Sequence, residues 1–178
     1  MGRRGDHTFQ ELSDMIVDAA YEILEKDGYS ALSTRKIAAK IGYTVGTLYN
    51  VFQNLDEIFL HINARTIEKI TTELNGKFLS SDVSKKNIKI LADYYLNFSK
   101  TNFNIWSTLF EYRFGENTKV PKWYTQKIDQ MYFVVQEAVA PSMKNRDEKQ
   151  LKEIITTLWS CIHGICILSV RGKFDRAG

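Results

Sequence analysis

The stretch at residues 33–53, STRKIAAKIGYTVGTLYNVFQ, constrains this chain more than any other. It holds two short runs of helical spacing divided by a glycine. Ser33 is a capping residue, and Thr34 to Ile41 follows with Ile37, Ala38 and Ile41 turned inward. Gly42 stops that run, Tyr43 completes the turn, and Thr44 caps a third helix predicted to reach about residue 52. A helix-turn-helix needs a small residue where the helices cross, a turn residue free to take positive φ, and apolar anchors on both helices. Ala38, Gly42, Ile37, Leu48 and Phe52 supply these. The second helix then presents Val45, Gly46, Thr47, Tyr49 and Asn50 outward. In such a unit the second helix meets base edges with its N-terminal end, while the first crosses the phosphates. Thr34, Arg35, Lys36 and Lys40 cluster on the first helix, and the free N–H groups at both helix starts favour phosphate. Gly46 admits a close backbone approach, Thr47 suits a thymine methyl or a phosphate, and the Tyr49 hydroxyl suits a phosphate. Helix spacing alone fits a plain three-helix packing unit equally well.

The rest of the chain reads as helix throughout. Leu12, Ile16, Ala19, Ala20, Ile23 and Leu24 form one apolar stripe, ended by Asp27-Gly28. Asn54 with Glu57 three residues on has the form of a capping box. The helix it opens is predicted to run to about residue 79 through Ile58, Phe59, Ile62, Ile67, Ile70 and Leu74. At 1.5 Å per residue that is roughly 37 Å, a strut between two parts of a molecule. Further helices are predicted at 84–101, 103–114 and 121–139, the last opened by Pro121. Asp147 and Gln150 cap a final helix ending near Gly172. No segment has strand period and none repeats. The expected fold is therefore all-α. A three-helix helix-turn-helix DNA-binding domain (residues 1–54) leads through a long helix into a C-terminal helical regulatory and dimerisation domain (residues 55–178).

Charge sums add little to this. Residues 1–55 carry six basic and seven acidic side chains, so any nucleic-acid argument rests on where the charges lie. No uninterrupted apolar run reaches the eighteen or so residues a bilayer crossing needs. The charged start, Met1-Gly2-Arg3-Arg4-Gly5-Asp6, has no apolar core behind it, so no signal peptide is expected and the protein is expected in the cytoplasm, away from membranes. Cys161 and Cys166 lack a second ligand pair at zinc spacing and read as buried thiols. No acid pair or nucleophile–base set stands at recognisable spacing, and His7, His61 and His163 are scattered. Neither an enzyme nor a cofactor or metal is expected.

The segment IAAKIGYTVGTLYNVFQNLDEIF resembles the TetR (tetracycline-repressor) family pattern: helix, glycine turn, G-T-L-Y recognition helix, then F-x-N leading into a fourth helix. The likeness extends back through Ala19-Ala20 and Gly28, covering about the first sixty residues. It implies DNA-facing roles for Thr34, Arg35, Thr44, Val45, Gly46, Thr47, Tyr49 and Asn50, beside Lys36 from the charge pattern. The chain departs from the family at Val51, where an aromatic or histidine is common, and at Leu55, where lysine is common. Both positions usually help hold phosphate, a task left here to Lys36, Lys40, Arg3 and Arg4.

The last helix is apolar on nearly every side from Leu158 to Val170, and such a helix must be buried all round. Its own core can cover one face and a twin subunit the other. The expected interface residues are Leu158, Ile162, Gly164, Ile165 and Leu168. The string Trp159-Ser160-Cys161-Ile162-His163-Gly164 resembles a W-x3-H-G segment of TetR-family C-terminal domains, whose last two helices pair into a four-helix dimer interface. Aromatics crowd residues 103–133, and Trp106, Phe110, Tyr132 and His163 are candidates for an effector pocket. For each of them a place in the core is the plainer reading. The function expected is a homodimeric transcriptional regulator on a double-stranded DNA operator, most simply a repressor released by a small-molecule effector. An enzyme carrying a helix-turn-helix and an effector-independent architectural protein remain alternatives, and sequence does not separate repressor from activator.

Overall fold

The first helix is fixed at both ends by local chemistry. Thr8 accepts the Glu11 N–H at 3.2 Å while the Glu11 carboxylate accepts the Thr8 N–H at 2.7 Å, a closed capping box. Gly28 ends it, donating to the Leu24 carbonyl. The computed structural model describes residues 7–78, 84–116, 119–143 and 147–174. Among these lie eight α-helices: α1 Phe9–Asp27, α2 Thr34–Ile41, α3 Val45–Tyr49, α4 Leu55–Leu74, α5 Ser84–Thr101, α6 Phe103–Glu111, α7 Lys122–Val139 and α8 Glu148–Val170. Single 3-10 turns stand at Tyr29–Ala31 and Ala140–Ser142, and no strand occurs among the described residues. The all-α expectation holds.

The chain forms two compact units. One comprises residues 1–66 and 104–124, and the other residues 67–103 and 125–178. α4 thus gives residues 55–66 to the first unit and the rest to the second, and α7 gives residues 122–124 to the first and the rest to the second. In the N-terminal unit Ile16, Ala20 and Leu24 of α1 are buried with Ile37 of α2, Leu48 of α3 and Ile58, Phe59 and Ile62 of α4. Ala38 is buried at the crossing, as the helix-turn-helix pattern requires. In the second unit α5 packs on α8, and Leu91, Tyr95 and Phe98 are buried with Ile155, Ile162 and Cys166.

Several boundaries differ from the sequence reading. α3 closes at Tyr49: the Asn50 N–H is shared between the Gly46 and Thr47 carbonyls at 3.2 Å each, and the Val51 N–H turns to the Leu48 carbonyl at 3.0 Å, a tighter turn than the α-helix. α4 stops at Leu74 rather than near residue 79, with Gly76 at φ 72°, so its 20 residues make a shorter strut of roughly 30 Å. The break assigned to Ser80-Ser81-Asp82 lies outside the described residues. Asn54 caps α4 through the Glu57 N–H at 2.9 Å, but the Glu57 carboxylate reaches the Gln53 N–H, one residue earlier than a capping box. α6 ends at Glu111, and Asp147 caps α8 through the Gln150 N–H at 2.8 Å.

α8 departs furthest from expectation. Within the chain only Ile155, Ile162 and Cys166 of this helix are buried, while Ile165 and Leu168 keep 49% and 44% of their surface exposed. Cys161 is exposed as well, so only Cys166 is a buried thiol, its pKa raised by that burial. By length and composition α8 is also apolar enough to cross a bilayer, with a mean hydropathy of 1.6 over an 18-residue window. Thr156, Thr157, Ser160 and His163 interrupt the apolar letters and hid that property from a count of unbroken runs.

Candidate nucleic-acid interface

The turn between α2 and α3 is built from one backbone requirement. Gly42 takes φ 75°, a left-handed conformation that costs a residue with a Cβ about 1–2 kcal/mol. Its N–H and that of Tyr43 close α2 against the Ala39 and Ala38 carbonyls at 3.4 and 2.9 Å. Both helices then start from side-chain caps: Ser33 accepts the Lys36 N–H and Thr44 accepts the Thr47 N–H, each at 3.3 Å. The Thr44 and Thr47 hydroxyls lie 3.0 Å apart, so the cap and the following helical residue share a hydrogen bond.

All nine residues proposed from sequence to face DNA reach solvent. Arg35, Lys36, Thr44, Gly46, Tyr49 and Asn50 are exposed, Tyr49 to 51%, and Thr34, Val45 and Thr47 are half-buried. A Cβ on Gly46 would meet only the Thr44 Oγ1, at 3.7 Å, so packing within the chain does not call for glycine there. Lys40 turns back to Glu22 of α1, 2.9 Å away. Arg3 and Arg4 lie outside the described residues.

Three contacts around this unit have no counterpart in the sequence reading. His7 Nδ1 and the Tyr43 hydroxyl share a hydrogen bond of 2.7 Å, their rings edge-on at 6.0 Å. Asp56, in the first turn of α4, accepts the Tyr112 hydroxyl and, at 3.0 Å, the Gly115 N–H. Tyr112 also stacks on Phe59 at 3.7 Å, and burial, then the Asp56 carboxylate, push its phenol up well beyond the usual range. Asn104 Nδ2 donates to the Glu25 carbonyl at 2.8 Å, satisfying the C-terminal end of α1 from α6. An acid in a first helical turn usually reads as a partner for the helix dipole. The long-range use of Asp56 therefore left no local signal.

The candidate pocket residues divide between the two units. Trp106 is buried and Phe110 is 41% exposed on the same face of α6, ring centroids 5.9 Å apart. Both belong to the N-terminal unit, Tyr132 and His163 to the other. Tyr132 bonds Thr156 and lines a groove of about 680 Å³ with Phe133, Leu151 and Ile155. His163 is half-buried, 3.2 Å from the Tyr95 hydroxyl and stacked with Trp159, and burial lowers its pKa. On α8, Leu158 and Gly164 are half-buried, and Ile162 is 5% exposed within its own chain. A Cβ on Gly164 would meet nothing within 4 Å. Among the described residues no group of three or more His, Cys, Asp or Glu side chains is placed to hold a metal ion.

The family described as "Bacterial regulatory proteins, tetR family" matches residues 16–62. A second, "Tetracyclin repressor-like, C-terminal domain", matches residues 88–178. No curated protein matches the chain by sequence. Among solved structures, a protein of unknown function from Rhodococcus sp. RHA1 superposes with a TM-score of 0.74 at 17% identity, covering 99% of this chain and 91% of its own. The transcriptional regulator FadR from Bacillus subtilis, in complex with stearoyl-CoA, gives 0.65 at 15% identity over 91% of this chain and 87% of its own. A protein described as a TetR-family transcriptional regulator from Vibrio parahaemolyticus gives 0.54 at 15% identity over 86% of each chain. At these identities the likeness is one of fold.

Proposed function

Because this chain belongs to the TetR family of bacterial regulatory proteins, we propose that it is a homodimeric repressor that reads an operator with α3 and releases it when a small molecule binds. The observation that carries the DNA-binding half is the exposed, capped start of α3 behind the left-handed Gly42 turn. Thr44, Val45, Gly46, Thr47, Tyr49 and Asn50 are assigned to the major groove and its rim. Thr34, Arg35 and Lys36 at the start of α2 are assigned to phosphate. The functional division at residues 54 and 55 belongs to the same proposal.

Support for the dimer comes from α8. Leu151, Ile154, Leu158, Cys161, Ile165 and Leu168 recur at alternating steps of four and three, the period of a helix–helix seam. All six keep surface exposed in the single chain. A second copy laid along this seam, with Gly164 at the close approach, accounts for an apolar helix its own core leaves open. Ile162, already buried, is omitted from the seam.

The effector half of the proposal draws on a fold neighbour. The Bacillus regulator holds an acyl thioester, and a ligand that favours one of two conformations shifts the DNA equilibrium by its differential affinity. The test of the reader is salt. Affinity for DNA enriched by the protein from a randomised pool should fall steeply as salt rises. Lys36→Ala should lower that slope while leaving the preferred sequence unchanged. A changed preference would make Lys36 a base reader, and salt-independent binding would end the proposal.

A further inference from the structure

Resting on the effector half of the proposed function, we infer that Asn63 is the recognition point of the effector site. The effector it takes is a small, neutral, largely apolar molecule with an amide or lactam edge.

Asn63 stands in the middle of α4, among Phe59, Leu60, Ile62, Ala64 and Ile67, all of them buried. It is fully buried itself, and neither its Oδ1 nor its Nδ2 meets a hydrogen-bond partner within the chain. Buried polar groups are nearly always paired, and leaving one unmet is costly. The buried Thr66, Ser107 and Thr108 obey that rule. Thr66 donates to the Ile62 carbonyl at 3.1 Å, and Ser107 and Thr108 donate to the Asn104 carbonyl at 3.3 and 2.7 Å. Asparagine is also a poorer helix former than leucine, so neither α4 nor its packing calls for it at this position. A residue that local structure disfavours on both counts is expected where function overrides stability.

The same surroundings define the ligand. The Asn63 carboxamide offers an acceptor and a donor side by side in one plane, which matches a C=O beside an N–H. Tyr124, at the start of α7, supplies a third polar point: burial raises its pKa, and the nearby Asn63 amide works against that rise. No Asp, Glu, Lys or Arg is buried among the described residues, so a charged head group would find no counter-charge inside. α4 meets the start of α7 again at His61 and Trp123, ring centroids 4.6 Å apart. A ligand that pairs with both Asn63 and Tyr124 parts these two helices, and so selects an opened state of the unit.

The experiment uses the full chain and four probes of similar outline: 2-quinolinone, 1-methyl-2-quinolinone, naphthalene and 2-naphthoate. Methylation removes the donor, naphthalene lacks both polar atoms, and naphthoate adds a charge. Calorimetric titration without DNA should give 2-quinolinone a dissociation constant at least about tenfold below the other three. Asn63→Leu and Asn63→Ala should each bring 2-quinolinone to the level of naphthalene, and Tyr124→Phe should lose part of the preference. Neither Asn63 variant should lower the thermal midpoint of the protein without ligand, since each removes an unmet amide. A clearly lower midpoint in both would make Asn63 a structural residue, held by an internal water, and overturn the site. Equal binding of 2-quinolinone and naphthalene by wild type would do the same, as would a preference kept in Asn63→Leu. The DNA arm is read separately. 2-Quinolinone should release wild type from the duplex it enriches from a randomised pool, and should fail to release Asn63→Leu. Tight, Asn63-dependent binding that leaves DNA affinity unchanged would end the effector reading while the amide site stood.

Discussion

α3 and α8 each carry one glycine inside a helix, and in neither does the chain itself account for it. The Cβ position at Gly46 has one neighbour at ordinary contact distance, and that at Gly164 has none within 4 Å. A helical glycine costs about 1 kcal/mol against alanine. Gly42, by contrast, is required by its own backbone, at φ 75°. Under the proposed function the two helical glycines face surfaces outside the chain, and the helices around them differ in kind. α3 is short, capped by side chains, and polar outside. α8 is long and apolar, and has more apolar surface than its own core covers. One suits a polar groove, the other a second copy of itself.

The largest effect that could break this contrast is at the α8 seam. Ile165 is 49% exposed in the single chain, so Ile165→Asp should leave the fold of each protomer intact. At a two-fold seam the same charge would be buried unpaired, which costs several kcal/mol. Sedimentation should show wild type at twice the chain mass and the variant at the chain mass, with operator binding lost. A wild type that sediments as a monomer at micromolar concentration would remove the seam.

Leu48→Ala probes the other helix from beneath. Leu48 is 1% exposed under α3, and a buried leucine-to-alanine change costs about 2–5 kcal/mol. Thermal unfolding of the variant should lose the N-terminal unit first, while the dimer persists. If the mass fell too, the two helices would not be separable in the way their surfaces suggest.

The helix-turn-helix was legible in advance because its determinants are local. Ser33, Gly42 and Thr44 act on backbone groups within five residues of themselves, and Ile37, Ala38 and Leu48 follow the helical period. α5 spans Ser84–Thr101, the range its helical period predicts. What escaped depends on partners far along the chain. Asp56 is spoken for by Tyr112 and Gly115, nearly sixty residues on, and those bonds hold residues 112–115 out of the helix their letters suggest. His7 finds Tyr43 across 36 positions. The exposure of Cys161 depends on which side of α8 the core takes, and an all-round apolar helix does not announce that side.

A smaller pair of changes sharpens the comparison at the glycines themselves. Within the single chain both Gly46→Ala and Gly164→Ala should be neutral or stabilising by up to about 1 kcal/mol, since neither Cβ meets a clash. Their costs should appear separately. Gly46→Ala should weaken operator binding and leave the mass unchanged, while Gly164→Ala should raise the dimer dissociation constant and weaken DNA binding only through it. At concentrations high enough to keep Gly164→Ala dimeric, its operator affinity should match wild type. Equal loss of DNA binding by both under those conditions would mean that α8 reaches the operator by another route.

At Thr44 two roles share one side chain. Its hydroxyl accepts the Thr47 N–H at 3.3 Å and lies 3.0 Å from the Thr47 hydroxyl, so part of it maintains α3. Thr44→Ala removes the cap and should cost about 0.5–2 kcal/mol, weakening DNA binding partly through a frayed α3. Thr44→Asp keeps a capping oxygen and adds a negative charge at a helix start, where it is favourable, so stability should stay within about 1 kcal/mol of wild type. The same carboxylate would face the phosphates, and Thr44→Asp should bind operator far more weakly than Thr44→Ala. Thermal unfolding and operator titration together read the split. If Thr44→Asp bound as well as wild type, Thr44 would be a cap and nothing more, and the DNA-facing rim of α3 would begin at Val45.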